Sequence, residues 1–382
     1  MLTNADILQL TALRHDLHRH PELSGAEGKT AARIANLVAA SRPDQIIPQL
    51  GGHGVAAVWT MPTPGPTVMF RAELDALPIH ETSTHDHISL TPGTAHLCGH
   101  DGHSVTLLAL ARLIHRAPPA CGRVMLMFQP AEETGAGARA VMRDPAFAPL
   151  KPDYAFSLHN MPGLPFGHAR LTEGVFSCAS RGLHITLTGR TAHASQPETG
   201  VSPALAMAEL IPALMALAPA GPMTPDFRLL TICHARLGEP AFGIAPGVAE
   251  ILITLRTRTD GPMLELEAQA RAVIDRIALR NGLAVSIDTH DVFSATVNTP
   301  TAAHHMATAL AALNIPVSDE NLPMRPSEDF GAFGDAGAKL CMILLGAGMN
   351  VAALHNPDYD FADALMPLGA RLFYRLMLDV LR

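Results

Sequence analysis

Two adjacent glutamates, Glu132 and Glu133, lie in the stretch Gln129-Pro130-Ala131-Glu132-Glu133-Thr134, directly after the apolar run 123–128. Like charges held side by side repel, so a positive charge has to offset them. A metal ion does this if one carboxylate binds it and the other stays free as a base. Three further sites offer donors. Cys98-Gly99-His100 sets a thiol and an imidazole two residues apart in a glycine turn, a pair suited to zinc or another first-row divalent ion. His159 follows the apolar run 153–158, and His355 lies in the loop beyond the apolar run 340–345. Cys98, His100, Glu133, His159 and His355 are therefore the candidate ligands, for one ion or for two that share Cys98. Two ions about 3.5–4 Å apart polarise a carbonyl and bring the pKa of water down to roughly 7. Glu132 would then take the proton and pass it to a leaving nitrogen. Asp101, beside His100, is a candidate to orient a ligand histidine. The pattern points to metal-assisted amide hydrolysis.

These residues need strands that end together. The runs 54–59, 67–71, 123–128, 153–158 and 340–345 are short, apolar and bounded by turn residues, the signature of buried strands. Open α/β sheets bind ligands at such strand ends. Helical spacing marks 5–19, ended by His20-Pro21, as well as 24–40, 104–114, 302–313 and 364–381. Between residues 180 and 290 the order is strand, helix, two strands, helix, strand, which is the ferredoxin-like arrangement. That segment reads as an inserted domain. The sequence thus divides into a discontinuous metal-binding domain, 1–179 with 291–382, and an insert at 180–290.

Composition narrows the class. A chain of 382 residues with 48% hydrophobic and 16% charged residues is globular and long for one core. Its net charge of −8 argues against nucleic acid and anionic membrane surfaces as partners. The start of the chain has no basic, then apolar, leader pattern. Five scattered cysteines are not a disulfide framework. A soluble, cytoplasmic protein with reduced thiols is expected, with no membrane partner. Histidines are numerous, at 20, so position has to select among them. His15, His18 and His20 read as structural or exposed, because no carboxylate or cysteine stands at ligand spacing from them.

The motifs His20-Pro21-Glu22-Leu23-Ser24, Asp75-Ala76-Leu77-Pro78, Cys98-Gly99-His100-Asp101, Gln129-Pro130-Ala131-Glu132-Glu133, His159-Asn160-Met161-Pro162, Ser327-Glu328-Asp329-Phe330 and Leu354-His355-Asn356-Pro357 occur in one order. In them the chain resembles the aminoacylase/carboxypeptidase group of metallopeptidases, in the branch of hippurate hydrolases, indole-acetyl-amino-acid hydrolases and N-acyl-L-amino-acid amidohydrolases. The resemblance implies an α/β fold, a zinc-peptidase-like domain with a mixed central sheet flanked by helices, and a ferredoxin-like lid that pairs into homodimers. It implies Cys98, His100, Glu133, His159 and His355 as metal ligands and Glu132 as general base. It implies a small-molecule N-acyl or N-aroyl amino acid as substrate, and one or two Mn²⁺ or Zn²⁺ ions, or Co²⁺, as cofactor. By the same likeness His193 is a lid histidine that stabilises the oxyanion, in its own or a partner's site, and Asp75 supports the ligands. Asn298 and Arg256 are candidate substrate contacts, the latter for a carboxylate.

The chain departs from the group's usual pattern in Glu73-Leu74-Asp75, in Gly189-Arg190-Thr191-Ala192-His193 and in Gly243-Ile244-Ala245-Pro246, where the group has asparagine at the position of Gly243. None of these is a ligand position, so the departures bear on substrate choice. Competing readings are a dipeptidase or carboxypeptidase, a non-catalytic module with a structural metal, and a thiol mechanism with Cys98 as nucleophile and His100 as base.

Overall fold

The computed structural model describes residues 1–219 and 221–382. The chain forms two compact units, Met1–Phe176 with Thr296–Leu322 and Glu328–Arg382, and Ser177–Ala295 with Pro323–Ser327.

The larger unit is built on an eight-stranded mixed sheet. Its first strands are β1 (Gln45–Leu50), β2 (Gly54–Thr60), β3 (Thr63–Glu73), β4 (Cys121–Gln129) and β5 (Tyr154–Pro162). Their spatial order is β1-β2-β4-β3-β5, followed by the Lys339–Gly348 strand and two short pieces. β4, β3, β5 and Lys339–Gly348 run parallel to one another. Strands buried on both faces read as continuous apolar runs, and Val68, Met69 and Phe70 or Val124 through Phe128 are fully buried in that way. The helices α1 (Asn4–Arg19), α2 (Gly28–Ala39) and α3 (His100–Arg116) and the closing helix Leu365–Val380 flank the sheet. Phe70 packs between Phe156 and Phe373, with ring centroids 5.9 and 4.9 Å away. Because the four central strands are parallel, their C-terminal ends open at one edge. The candidate residues sit there.

The smaller unit has four antiparallel strands in the order Arg228–Leu237, Val248–Thr257, Ala179–Thr188, Ala284–Phe293. The helices Ala204–Met215 and Asp260–Arg280 are its crossovers. This is ferredoxin-like topology. Leu183, Ile185 and Leu187 alternate inward and share a core with Leu210, Leu266 and Ile274. Among the described residues no helix is long and apolar enough to cross a membrane.

Candidate metal centre

Each donor is set by a local device. β4 delivers Gln129 beside Glu73 of β3, and the chain then turns through Ala131 at φ 50°. A non-glycine residue in that region costs energy, and the surroundings hold it there. The Ala131 N–H donates to Glu27 Oε1 at 2.8 Å, and the Glu133 N–H donates to Asp75 Oδ2 at 3.0 Å. At Gly137 an added Cβ would lie 1.6 Å from the Pro130 carbonyl oxygen, so only glycine lets the next helix close back on the turn. Gly99, at φ 94°, starts α3. His100 is thus the first residue of the helix rather than part of a loop before it.

The donor atoms converge. Cys98 Sγ lies 3.4 Å from His159 Nε2 and 3.4 Å from His355 Nε2. Glu133 Oε1 lies 3.6 Å from His355 Nε2 and 3.8 Å from His100 Nε2. Cys98, His100 and His159 form one group of three donors within 4.8 Å of one another, and Cys98, Glu133 and His355 form a second. Two ligand atoms on one tetrahedral zinc lie about 3.3–3.8 Å apart, given bonds of about 2.0–2.3 Å. The observed spacings match.

Hydrogen bonding also prepares the donors. His100 Nδ1 donates to the Asp75 carbonyl at 2.9 Å, and its Nε2 is buried without a hydrogen-bond partner. His159 Nδ1 donates to the Asn160 carbonyl at 2.7 Å, which leaves Nε2 to face Cys98. Holding one ring nitrogen fixes the tautomer and aims the lone pair of the other. Glu133 Oε1 is a second buried atom without a partner. Burial, with His103 and His100 nearby, holds His159 well below its ordinary pKa, so it stays a neutral ligand. Burial and the carboxylates of Glu133 and Glu132 push the Cys98 thiol well above its ordinary value. The pocket is electron-rich, and a cation there would reverse that shift. The residues fit a divalent metal.

Glu132 stands apart from this set. It is buried, and its Oε1 accepts only one long hydrogen bond, 3.3 Å from the Asp329 N–H. Burial, followed by Glu328, Asp329 and Glu133, raises its pKa well above the usual carboxylate range. Behind it Arg71, fully buried, pairs with Glu73 and with Asp329 at 2.6 Å and donates to Gln129 Oε1 at 2.9 Å. Asn160 donates to the Cys98 carbonyl at 2.8 Å. His103 is held between Glu73 Oε2, at 2.7 Å, and the Asn160 N–H, at 3.1 Å, and so belongs to the supporting network. Glu328 Oε1 is 3.8 Å from His159 Nε2, and burial pushes Glu328 up to about 8. Sequence reasoning gave no role to Glu328 or Asn160, and for Arg71 it offered the rim of a site or a salt bridge with Glu73 or Asp75, of which the pair with Glu73 forms. Their signal was the presence of charged or amide side chains in otherwise apolar or turn segments.

Other candidates are placed as follows. Asp75 is fully buried and accepts from Ser24 at 2.7 Å as well as from Glu133. Asp101 does not touch a histidine of the Cys98 group. It meets Arg14 at 3.1 Å and His18 at 2.8 Å. Asn298 is fully buried, with its amide bonded to the backbone of Thr172 and Met342. His193 and Arg256 belong to the smaller unit. His193 is exposed and bonds Ser195 Oγ at 2.6 Å. Arg256 donates to the Arg325 carbonyl and to Ser327 Oγ.

Comparison with known proteins places the chain in a family. Residues 69–379 match the family described as Peptidase family M20/M25/M40. A hippurate hydrolase of Campylobacter jejuni subsp. jejuni is 30% identical over 375 residues, 97% of this chain and 96% of that protein. An N-acetylcysteine deacetylase of Bacillus subtilis is 28% identical, over 98% of this chain and 97% of its own. An IAA-amino acid hydrolase of Arabidopsis thaliana is 28% identical, over 96% and 85%. Among solved structures, the Bacillus subtilis YXEP protein, described as a dinuclear metal binding peptidase from M20 family, superposes with a TM-score of 0.81 at 26% identity over 99% of both chains. A putative aminohydrolase from methicillin resistant Staphylococcus aureus shares the fold, with a TM-score of 0.83 at 24% identity over 98% of this chain and 97% of that one. The chain belongs to peptidase family M20/M25/M40 and is an amidohydrolase.

Proposed function

We propose that this protein hydrolyses the amide bond of N-acyl or N-aroyl amino acids, releasing a carboxylic acid and a free amino acid. The observation that carries the reading is the pairing of Glu132 with Glu133. Glu133 faces two histidines of the donor group, and Glu132, next in the chain, accepts a single long hydrogen bond and is otherwise free to move a proton. Cys98, His100, Glu133, His159 and His355 would hold one or two divalent ions, Mn²⁺, Zn²⁺ or Co²⁺, with Cys98 common to both donor groups. Such a cation supplies Lewis-acid polarisation of a carbonyl and acidification of water. Glu132 accepts the proton of the attacking water at a carboxylate oxygen and returns it to the departing nitrogen. Its raised affinity for protons, set by burial and the neighbouring carboxylates, suits that exchange. Arg71 and the Asp329 N–H hold the acidic surroundings of Glu132 in place. His193 is the proposed donor to the oxyanion that forms on attack, and pairing of the smaller unit into a homodimer completes the scheme. The names of the relatives favour capped amino acids as substrates. The five cysteines, all free among the described residues, suit the cytoplasm.

The test is a substrate panel with Mn²⁺ or Zn²⁺ restored after chelation. N-acetyl and N-benzoyl amino acids are offered beside free dipeptides, with Glu132→Gln run in parallel. The expected result is turnover of capped substrates that stops on chelation. It should fall by about 10²- to 10⁴-fold in the variant, with metal content unchanged. Preference for free dipeptides would replace the substrate class with that of a dipeptidase. Equal turnover by both proteins would remove Glu132 as the base. Absence of turnover with metal bound would overturn the catalytic reading.

A further inference from the structure

A second set of donors lies beside α1 and shares no residue with the Cys98 group. His18 is fully buried. Its Nδ1 is 2.8 Å from Asp101 Oδ2, and its Nε2 is 3.2 Å from Glu81 Oε1. Arg14 lies 3.1 Å from Asp101, and an N–H on His18 Nδ1 donates to that carboxylate, which leaves Nε2 as the atom of His18 on the Glu81 side. His85 Nε2 approaches the same Glu81 oxygen at 3.1 Å, yet neither ring nitrogen of His85 makes a hydrogen bond. One carboxylate oxygen thus faces two imidazole nitrogens. Spacings of 3.1 and 3.2 Å are close to those between ligand atoms that share one tetrahedral cation. Donor atoms of His18, His85 and Asp360 all fall within 4.8 Å of one another. His96, whose ring is 6.3 Å from that of His18, is buried with both nitrogens unpartnered.

The charge balance points the same way. Glu81, Asp101, Asp360 and Asp363 bring four carboxylates; Arg14 meets Asp101, Asp360 and Asp363, and His15 meets Asp363 at 2.8 Å, which leaves Glu81 with only the imidazoles of His18 and His85 as basic partners among the described residues. His87 is excluded as a donor through Nε2, because that atom receives Arg14 Nη1 at 2.8 Å. Access is open, since the side chains of Asp360 and His85 are 33% and 20% exposed. We propose that His18, His85 and Asp360, with Glu81 beside them, bind a divalent ion of the zinc class. Imidazole and carboxylate donors at these spacings suit Zn²⁺ and its first-row neighbours. Asp101 positions His18, in the carboxylate–histidine–metal order by which ligand histidines are commonly held. The ion would tie α1, the 81–87 loop and the loop before the closing helix into one corner of the larger unit.

The experiment is metal counting on the full-length protein. Wild type and His85→Ala are dialysed against the same buffered free Zn²⁺ and analysed for zinc per chain. The variant is expected to hold one equivalent less and to keep its amide-hydrolysis rate, whatever the number of ions at the Cys98 group. Equal zinc in the two proteins overturns the proposal. Wild-type crystals soaked in Zn²⁺ give a second reading that needs no variant. An anomalous peak between His18 Nε2 and His85 Nε2 supports the site, and a filled Cys98 group with no peak there overturns it.

Discussion

Arg71→Met is the perturbation with the best defined cost. Arg71 is fully buried in β3 and meets Glu73, Asp329 at 2.6 Å and Glu328 at 3.5 Å. Methionine fills a similar volume but leaves three buried carboxylates without their cation. Breaking one buried pair by removing a partner costs about 3–5 kcal/mol. With three dependants, the upper end of that range is expected, a large share of the about 5–15 kcal/mol that stabilises a typical protein. The cost has a sign with pH. Without Arg71 the folded carboxylates hold protons more tightly than in the wild type, and Asp329 and Glu328 are already pushed up to about 6 and 8. The folded variant therefore carries more protons than the folded wild type, and its deficit grows with pH by up to about 1.4 kcal/mol per unit for each extra proton. The deficit should be smallest near pH 5.5 and largest near pH 8.5. Urea unfolding of metal-free protein followed by tryptophan fluorescence measures it cleanly, because Trp59, the one tryptophan, lies in β2 of the same sheet. A deficit below about 1 kcal/mol at pH 8.5, or one independent of pH, would refute the account of Arg71 as the counter-charge of the site.

Three further outcomes are expected. Asn160→Leu removes the donor to the Cys98 carbonyl and the acceptor of the Tyr359 hydroxyl, and metal affinity by chelator competition should drop about 10- to 100-fold. Gly99→Ala forces a Cβ to 2.4 Å from Asn160 Nδ2 at a φ of 94°. A left-handed alanine alone costs about 1–2 kcal/mol, so both the midpoint of unfolding and metal occupancy should fall. In chelated protein His18 is held up at about 9 by Asp101 and Glu81, against an ordinary 6.5. Its protonated form stabilises the fold fully below pH 6.5, and that stabilisation, in total about 3 kcal/mol, is lost as pH rises to about 9. Unfolding midpoints at pH 6 and 9.5 should therefore differ more for wild type than for His18→Gln, and equal differences would contradict the assignment.

The strands that carry the site were legible because they are buried on both faces and read as apolar runs. β1 was not foreseen. It lies at the edge of the sheet, is largely exposed and contains Pro48, so neither alternation nor a run marks it. Residues 62–66 hold three prolines and a glycine, residues typical of turns, yet β3 starts at Thr63, with its register shifted before Thr67. The candidate donors could be picked out by type, Glu133, His159 and His355 by their position after strands and Cys98 and His100 by their spacing in a glycine turn. The network behind them could not, because its partners are far apart in the chain. Arg71 meets Gln129 and Asp329, 58 and 258 residues further on. The same distance hid the surroundings of His18. The carboxylates it meets are not its sequence neighbours, since folding brings in Glu81 and Asp101 from 63 and 83 residues away.

The larger unit is interrupted by the smaller one, and this sets an order on events at the ribosome. Cys98, His100, Glu133 and His159 emerge early, and His355 follows His159 by 355 minus 159, or 196, residues. At about 5–20 residues per second that is a wait of roughly 10–40 s. During it β5 has no partner on the side later taken by Lys339–Gly348. An unpaired edge of buried, apolar residues is a template for association with other chains. The interrupting unit, with a core of its own, can fold in that interval. A nascent chain halted before Lys339 is thus expected to need a chaperone, and a released one only until its last strand has docked.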